Sequence, residues 1–305
     1  SGASVLKDEV LIKKDGSPAY NFCCVVDDSL MEITHVIRGE DHISNTPKQI
    51  LMYKALGYKM PKFAHLPLIM GEDGGRLSKR TGAVAVSDYR KMGFLPEAIV
   101  NYLMLLGWSP GTNQEIVALE SAVKNFSIKK VNKAAAVFSM DKLTWINGEY
   151  IKKQDPKKLA ELLRPFLTEA GFDYLSIGAD KVAEVVKLYQ KRIPTLRDFP
   201  ERAGYVFNDE FSCSTDDKSA CFTASIKQAF QFLSERLKAL DDYSSKSAEE
   251  AFRKLVAELN ISSGDLVHPV RIVLTGSEVG PGLFETMEVL GKEKTVKRLE
   301  QAAKR

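Results

Sequence analysis

An α/β segment followed by helices is the fold class this sequence predicts, and three features of the chain predict it. Short runs rich in β-forming residues crowd the first 75 positions: Val10–Ile12, Asn21–Val26, Ile33–Ile37 and His65–Met70. A glycine-bearing loop then opens a stretch over 76–150 that reads as mostly helical. From 151 to 305 the apolar residues recur at helical spacing only. Ile226, Ala229, Phe230, Leu233, Leu237 and Leu240, for example, fall on one helical face.

Each element has its own local signal. Asp15-Gly16-Ser17-Pro18 reads as a turn between the first two runs. Thr46 suits an N-cap, Pro47 the first helical position, and Gln49 a capping box with Thr46, which predicts a helix over 46–56 ended by Gly57. Leu95-Pro96-Glu97 starts an apolar helix that runs through Leu106 and stops at Gly107, and Trp108 and Trp145 read as core anchors. A linker is expected near Lys152–Pro156 and a polar loop over Asp209–Lys218. Ser247 and Glu250 read as a capping box ahead of Ala251, Phe252, Leu255 and Leu259. A charged helix is expected from Lys292 onward, with Val296 and Leu299 facing inward. The chain has no internal repeat.

The 305 residues suit two domains with a connector. Hydrophobic residues at 44% and charged residues at 27% are ordinary for a globular protein with a sizeable core. A net charge of +3 is too small to announce a nucleic-acid binder, but it permits one if the basic residues cluster. Cys23 and Cys24 are adjacent, and Cys213 and Cys221 have no histidine nearby, so no zinc spacing is met and no protein-bound zinc is expected. Unpatterned cysteine use fits a reducing cytosol. No run is long and apolar enough for a membrane helix, and no signal peptide is visible.

The sharpest local signal is Glu72-Asp73-Gly74-Gly75-Arg76-Leu77-Ser78-Lys79-Arg80. Two glycines loosen the backbone, and three cationic side chains with one hydroxyl follow within five residues. Such a loop can close over a polyphosphate, with Lys79 and Arg80 countering charge that develops at the α-phosphate. A solvated basic hairpin tip fits the same residues. The order of residues is not that of a P-loop.

Arg76-Leu77-Ser78-Lys79-Arg80 resembles the Lys-Met-Ser-Lys-Ser signature of class I aminoacyl-tRNA synthetases, in the form of the glutamyl and glutaminyl subgroup. The flanks extend the likeness. Upstream stand Pro18-Ala19-Tyr20-Asn21-Phe22, Val25-Val26-Asp27-Asp28, and Ile33 through His42 followed by Asn45-Thr46-Pro47. Downstream stand Gly93 through Ala98, Asn101-Tyr102-Leu103 and Gly107-Trp108; later come His268-Pro269-Val270-Arg271, Gly280 through Phe284 and Leu290 through Glu293. In that order they resemble the bacterial-type glutamyl-tRNA synthetases over nearly the whole chain. The resemblance implies an incomplete class I Rossmann-like catalytic half at 1–75, the signature loop and stem-contact connector at 76–150, and an all-α anticodon-binding region at 151–305.

The same resemblance implies residue roles. Lys79, with Arg76 and Ser78, matches the catalytic loop; Arg76 stands where the signature usually has lysine, so charge is kept and geometry is not. Lys79, Asp41 and His42 match the ATP region. Tyr20, Cys24 and Arg38 match the glutamate site, with Cys24 standing where some members place an amide. A fixed guanidinium fork suits bidentate carboxylate recognition, although a structural salt bridge to Asp27, Asp28 or Glu40 would also account for Arg38. Tyr20 could equally be a half-buried strand aromatic. Arg271, Gly280 and Leu283 match the anticodon-contacting region, and a helix-end arginine packed on a turn is the plainer alternative. Lys191, Arg192 and Arg197, followed by Phe199 and Tyr205, form a second basic cluster open to RNA or simply to solvent.

The implied activity is glutamate–tRNA ligation by a monomeric cytoplasmic parent enzyme. Its partners are tRNA-Glu, glutamate and ATP with Mg2+, and no membrane. The His-x-Gly-His signature of the class is missing, and the histidines are His35, His42, His65 and His268. The chain is therefore expected to be an N-terminally truncated piece, unable to activate glutamate alone but able to hold tRNA, with 5–75 its least stable region. Glutamyl-queuosine synthetases lack the helical anticodon portion, and glutaminyl enzymes carry β-barrels there. A non-catalytic tRNA-binding protein is the reading from another class.

Overall fold

The computed structural model describes residues 8–77, 85–208, 210 and 222–304. At the start, Asp15 Oδ1 accepts from Ser17 N at 2.9 Å and from Ser17 Oγ at 2.6 Å, closing the expected turn around Gly16. A single antiparallel bridge, Ile12 to Pro18, is all the pairing that Val10–Ile12 finds among the described residues. Asn21–Val26 is not a strand, contrary to the expectation. It lies inside helix α1, Tyr20–Leu30, entered from an extended Ala19. Phe22, Val25 and Val26 are spaced i, i+3, i+4, and Val25 is buried where α1 packs on a second helix, α2. In a run of six residues, β-branched content cannot outweigh that packing.

Strand β1, His35–Gly39, is followed by a 3-10 turn, Glu40–Asn45, that runs directly into α2, Thr46–Ala55. Thr46 does not cap α2, and Gln49 forms no capping box. The preceding turn already supplies carbonyl acceptors, so Thr46 N bonds Ile43 O and both side chains are released for other partners. Gly57, at φ +68°, follows the helix end. β2, Lys62–Leu66, pairs in parallel with β1, with Arg38 opposite His65. β3, Ile69–Met70, pairs in parallel with a later strand, β4, Ala136–Val137.

Helix α3 spans Val86–Lys91 and α4 spans Pro96–Gly107. Buried Asn101 on α4 staples the segment beyond it: its Oδ1 accepts from Val117 N at 2.7 Å and its Nδ2 donates to Glu115 O at 2.8 Å. Trp108 packs with Val117 and with Ala122 of α5, Leu119–Asn125, as the anchor it was expected to be. Trp145 is 47% exposed and anchors nothing. It sits on α6, Met140–Lys153, whose buried face carries Leu143, Ile146 and Asn147, so position 145 points away.

Beyond residue 150 the described residues form helices joined by loops. They are α7 (Pro156–Glu169), α8 (Tyr174–Ile177), α9 (Ala179–Tyr189), α10 (Asp198–Ala203) and α11 (Ala224–Lys238), then α12 (Ser245–Leu259), α13 (Ser263–Thr275), α14 (Leu283–Leu290) and α15 (Lys292–Lys304). α11 buries Ile226, Ala229, Phe230, Leu233 and Leu237 as predicted. Leu240 lies past its end. The capping box of α12 is Ser244 with Ser247, three residues earlier than expected, because the helix begins at Ser245. Val296 and Leu299 face inward on α15. Cys213, Cys221 and most of the expected polar loop lie outside the described residues.

The chain divides into two units, Ser1–Val86 with Pro96–Ile146 and Ser87–Leu95 with Asn147–Arg305. In the second, Asn147 accepts from Leu95 N at 2.8 Å and donates to Pro194 O at 2.6 Å. Gly93 sits beside that staple at φ +87°, where an added Cβ would lie 2.5 Å from Arg197 N and 2.7 Å from Leu196 N. The described helices include none long and apolar enough to cross a membrane.

Two outcomes are expected. Gly93→Ala should lower unfolding free energy by about 3 kcal/mol in urea melts, since it adds positive-φ strain to a backbone clash. Gly107→Ala, with nothing within 4 Å of its Cβ, should not destabilise. Among the described residues from 8 to 77 the buried aliphatic and aromatic residues are Val25 and Tyr53, whereas Leu30, Met31, Ile37, Ile43 and Leu51 are exposed. Amide exchange over 8–75 should therefore outpace that over 150–304, and the reverse order would contradict this burial argument.

Candidate functional site

Arg38 is the hub of the first unit. On paired β1 and β2, residues in register point to the same face, so Arg38 meets His65, and Phe63 two residues earlier lies on that face too. The guanidinium carbon stands 5.7 Å from the centre of the Phe63 ring. Nη2 donates to Thr46 Oγ1 and to Gln49 Oε1, both at 2.8 Å, and Nε donates to His65 Nε2 at 3.4 Å. Thr46 and Gln49 are one turn apart on α2, which places both over the strand end. Gln49 is 2% exposed and passes the chain on, donating to Asn21 Oδ1 at 3.0 Å.

This arrangement revises two expectations. Arg38 makes no salt bridge to Asp27, Asp28 or Glu40 among the described residues; Glu40 Oε1 instead accepts from Leu68 N at 3.2 Å. The guanidinium also does not present a free bidentate fork, because Nε and both Nη2 protons are committed. Nη1, with its two protons, is the edge left for a ligand.

Tyr20, Cys24 and His42 lie near this hub. Tyr20 begins α1 and Cys24 lies one turn on. Burial, followed by the Cys24 thiol, raises the Tyr20 hydroxyl above its ordinary range, while Arg38 pulls it down. The Tyr20 and His42 rings lie 5.9 Å apart. Burial raises the Asp28 carboxyl, with Arg38 opposing, and burial beside Asp28 pushes Tyr53 up to about 12. Asp41 pairs with Arg76 at 2.9 Å. Both partners are partly exposed, so the pair matters for placement more than for stability. Arg76 closes a hairpin: Gly71 N bonds Gly75 O, Leu77 N bonds Ile69 O, and Asp73 accepts from Gly75 N at 3.0 Å. Ser78, Lys79 and Arg80 lie outside the described residues. No group of acidic, histidine or cysteine side chains that could hold a metal occurs among the described residues.

In the second unit, Arg271 of α13 does pack on a turn. Its Nη1 donates to Pro281 O at 2.5 Å, and a Cβ at Gly280 would lie 3.3 Å from that nitrogen. Thr275 and Ser277 knit the intervening loop through Thr275 Oγ1 to Ser277 O at 3.1 Å and Ser277 Oγ to Val279 O at 2.9 Å. Leu283 is buried, so it supports this loop from below; the apolar side chain that the loop exposes is Val279. The second basic cluster has no aromatic surface, because Phe199 and Tyr205 are core residues and Arg197 pairs with Glu169 at 2.9 Å.

Comparison with known proteins finds matches along both parts of the chain. Residues 2–145 match the family described as "tRNA synthetases class I (E and Q), catalytic domain", and 158–303 match an "Anticodon binding domain". A glutamate–tRNA ligase of Caldanaerobacter subterraneus is 44% identical over 99% of this chain, and one of Geotalea uraniireducens is 46% identical over 97%. Along nearly its whole length the chain is homologous to glutamate–tRNA ligases. It spans 63% of the length of each of these relatives. A glutamate tRNA ligase from Elizabethkingia meningosepticum, solved in complex with its amino acid, superposes with a TM-score of 0.87 at 31% identity, covering 99% of this chain and 63% of that one.

The partners of Arg38 are what sequence reasoning missed. Thr46 and Gln49 had been assigned to a cap, and the facing of Arg38 and His65 needs the parallel register, which no local pattern encodes. Gln49→Leu should destabilise the first unit by about 1–3 kcal/mol in thermal melts, since it strands a charged donor and Asn21 together.

Proposed function

We propose that the chain supplies the glutamate-binding arginine, part of the ATP site and the tRNA-gripping helices of an enzyme that activates glutamate with ATP and transfers it to the 3′ end of tRNA-Glu. The carrying observation is the polar hub around Arg38: a half-buried guanidinium with no carboxylate bonded to it among the described residues, with Nη1 uncommitted and Tyr20, Cys24 and His42 around it. Such a group wants an anionic ligand, and glutamate brings two carboxylates. Asp41 and His42 border the nucleotide, and Arg76, Ser78 and Lys79 close on its phosphates, with Mg2+ arriving on the ATP rather than in a protein cage. Residues 1–75, 76–150 and 151–305 then serve as catalytic half, loop with connector, and anticodon-binding region.

In the second unit, Arg271 beside the Gly280 loop that precedes buried Leu283 offers unpaired bases a cation next to the exposed apolar Val279. The setting is cytoplasmic protein synthesis, the parent enzyme is monomeric, and neither zinc nor a membrane takes part.

Filter binding tests this reading. The chain should bind tRNA-Glu with an affinity that falls as salt rises. Arg271→Ala should weaken that binding by about 1–3 kcal/mol and narrow the preference for tRNA-Glu over unrelated tRNAs. An equal loss for every tRNA would reduce Arg271 to a phosphate contact. Arg38→Ala should abolish saturable L-glutamate binding measured by calorimetry; retention of that binding would end the glutamate assignment.

A further inference from the structure

We propose that His65 is a positioning residue for Arg38: as a neutral ring with its proton on Nδ1, it accepts at Nε2 and holds the guanidinium so that Nη1 is left for a carboxylate. The proposal rests on the carboxylate-recognition reading of Arg38 given above.

The argument begins from what each atom can do. Arginine nitrogens only donate, so a contact from Arg38 Nε to His65 Nε2, 3.4 Å away, requires a lone pair on Nε2. Thr46 Oγ1 already accepts from Arg38 Nη2 at 2.8 Å, which leaves its single proton to give. His65 Nε2 stands 3.0 Å from that oxygen and His42 O stands 3.3 Å away, so the imidazole is the nearer acceptor. Two donors thus converge on one lone pair, and the shorter contact belongs to Thr46. A proton on Nε2 would turn the ring into a donor facing a donor, and would set an imidazolium against a guanidinium.

The surroundings favour the neutral ring. The charged and titratable groups acting on His65 are Arg38 on β1 and His42 on the 3-10 turn; α2 contributes the uncharged Thr46. Burial first, then Arg38, then His42 lower the His65 pKa below its ordinary value of 6.5. The sign follows directly. Native His65 is neutral at neutral pH, and it gains a proton only as pH falls below that ordinary value. At that point its hold on Arg38 is lost. Gln49 keeps its own bond to Nη2, so the loss is partial.

The test is a titration of the 305-residue chain, labelled with 15N at histidine and arginine and followed by NMR. His65 should show the Nδ1–H tautomer at about pH 7.5, and the Arg38 Nε–H signal should shift with the His65 midpoint. L-glutamate should bind about tenfold more weakly below the His65 midpoint found in that titration than at about pH 7.5. His65→Gln, whose amide oxygen accepts without titrating, should keep affinity within about twofold and flatten the pH profile. His65→Leu should lose about tenfold at both values. An Nε2–H tautomer, an Arg38 signal indifferent to His65, or an unchanged pH slope in His65→Gln would overturn the proposal. If the Arg38 signal follows His65 but L-glutamate binds at neither pH, the positioning role stands and the glutamate assignment falls.

Discussion

A guanidinium held by a hydroxyl, an amide and an imidazole, with no carboxylate bonded to it among the described residues, is the constraint on which the first unit depends. A protein carboxylate in salt-bridge contact would have neutralised Arg38 and competed with any anionic ligand. Neutral acceptors fix its orientation and leave Nη1 for an anion. Phe63 beneath the guanidinium adds a face that attracts the cation without adding negative charge of its own. β2 contributes His65 and Phe63 and α2 contributes Thr46 and Gln49 to a cation carried on β1, so the arrangement of the three elements and the orientation of one side chain are mutually dependent.

Much of this was legible in the sequence where local chemistry decides structure. The Asp15–Ser17 turn, α4, α11 and the inward face of α15 follow from turn residues, breakers and helical spacing, and α2 from Pro47 and Gly57 although its expected cap is not formed. Arg38, Tyr20, Cys24 and His42 were identifiable by motif and do lie together. What stayed hidden depends on distant partners. Asn21–Val26 is helical because Val25 finds α2, and Trp145 is exposed because the buried face of α6 is taken by its neighbours. The same dependence hides Thr46, Gln49 and His65. A threonine and a glutamine three residues apart read as a capping box in one dimension, but the 3-10 turn ahead of them removes the need for a cap.

The two units contrast in how they hold themselves. The second closes aromatic and aliphatic residues such as Phe199, Phe230 and Phe252 into its interior and ties distant loops with buried Asn147 and Arg298. Arg298 donates to Leu274 O at 2.5 Å and to Tyr205 O at 2.7 Å, carbonyls from the end of α13 and from the turn after α10. Carbonyls at a helix end lack intrahelical partners, so they are open to accept from a buried arginine. The stretch up to residue 77 has far less buried apolar surface and leans on the polar hub instead. Hydrogen bonds of this kind contribute modestly to net stability but specify orientation closely.

That difference bears on how recognition would work at each end of the chain. At Arg38 the uncommitted group is one nitrogen with two protons, so a ligand carboxylate gains charge-assisted bonds, whereas a carboxamide turned by its amino group would set donor against donor. Discrimination there rests on charge and lone pairs, and it demands that the guanidinium not swing. At Arg271 the guanidinium is fixed to a backbone carbonyl of its own loop, and the exposed Val279 offers an apolar surface rather than a directed bond. Contacts of that sort tolerate variation in the partner, so under the proposed anticodon role selectivity at that end would come from the edges of bases held against the arginine, not from the loop beside it.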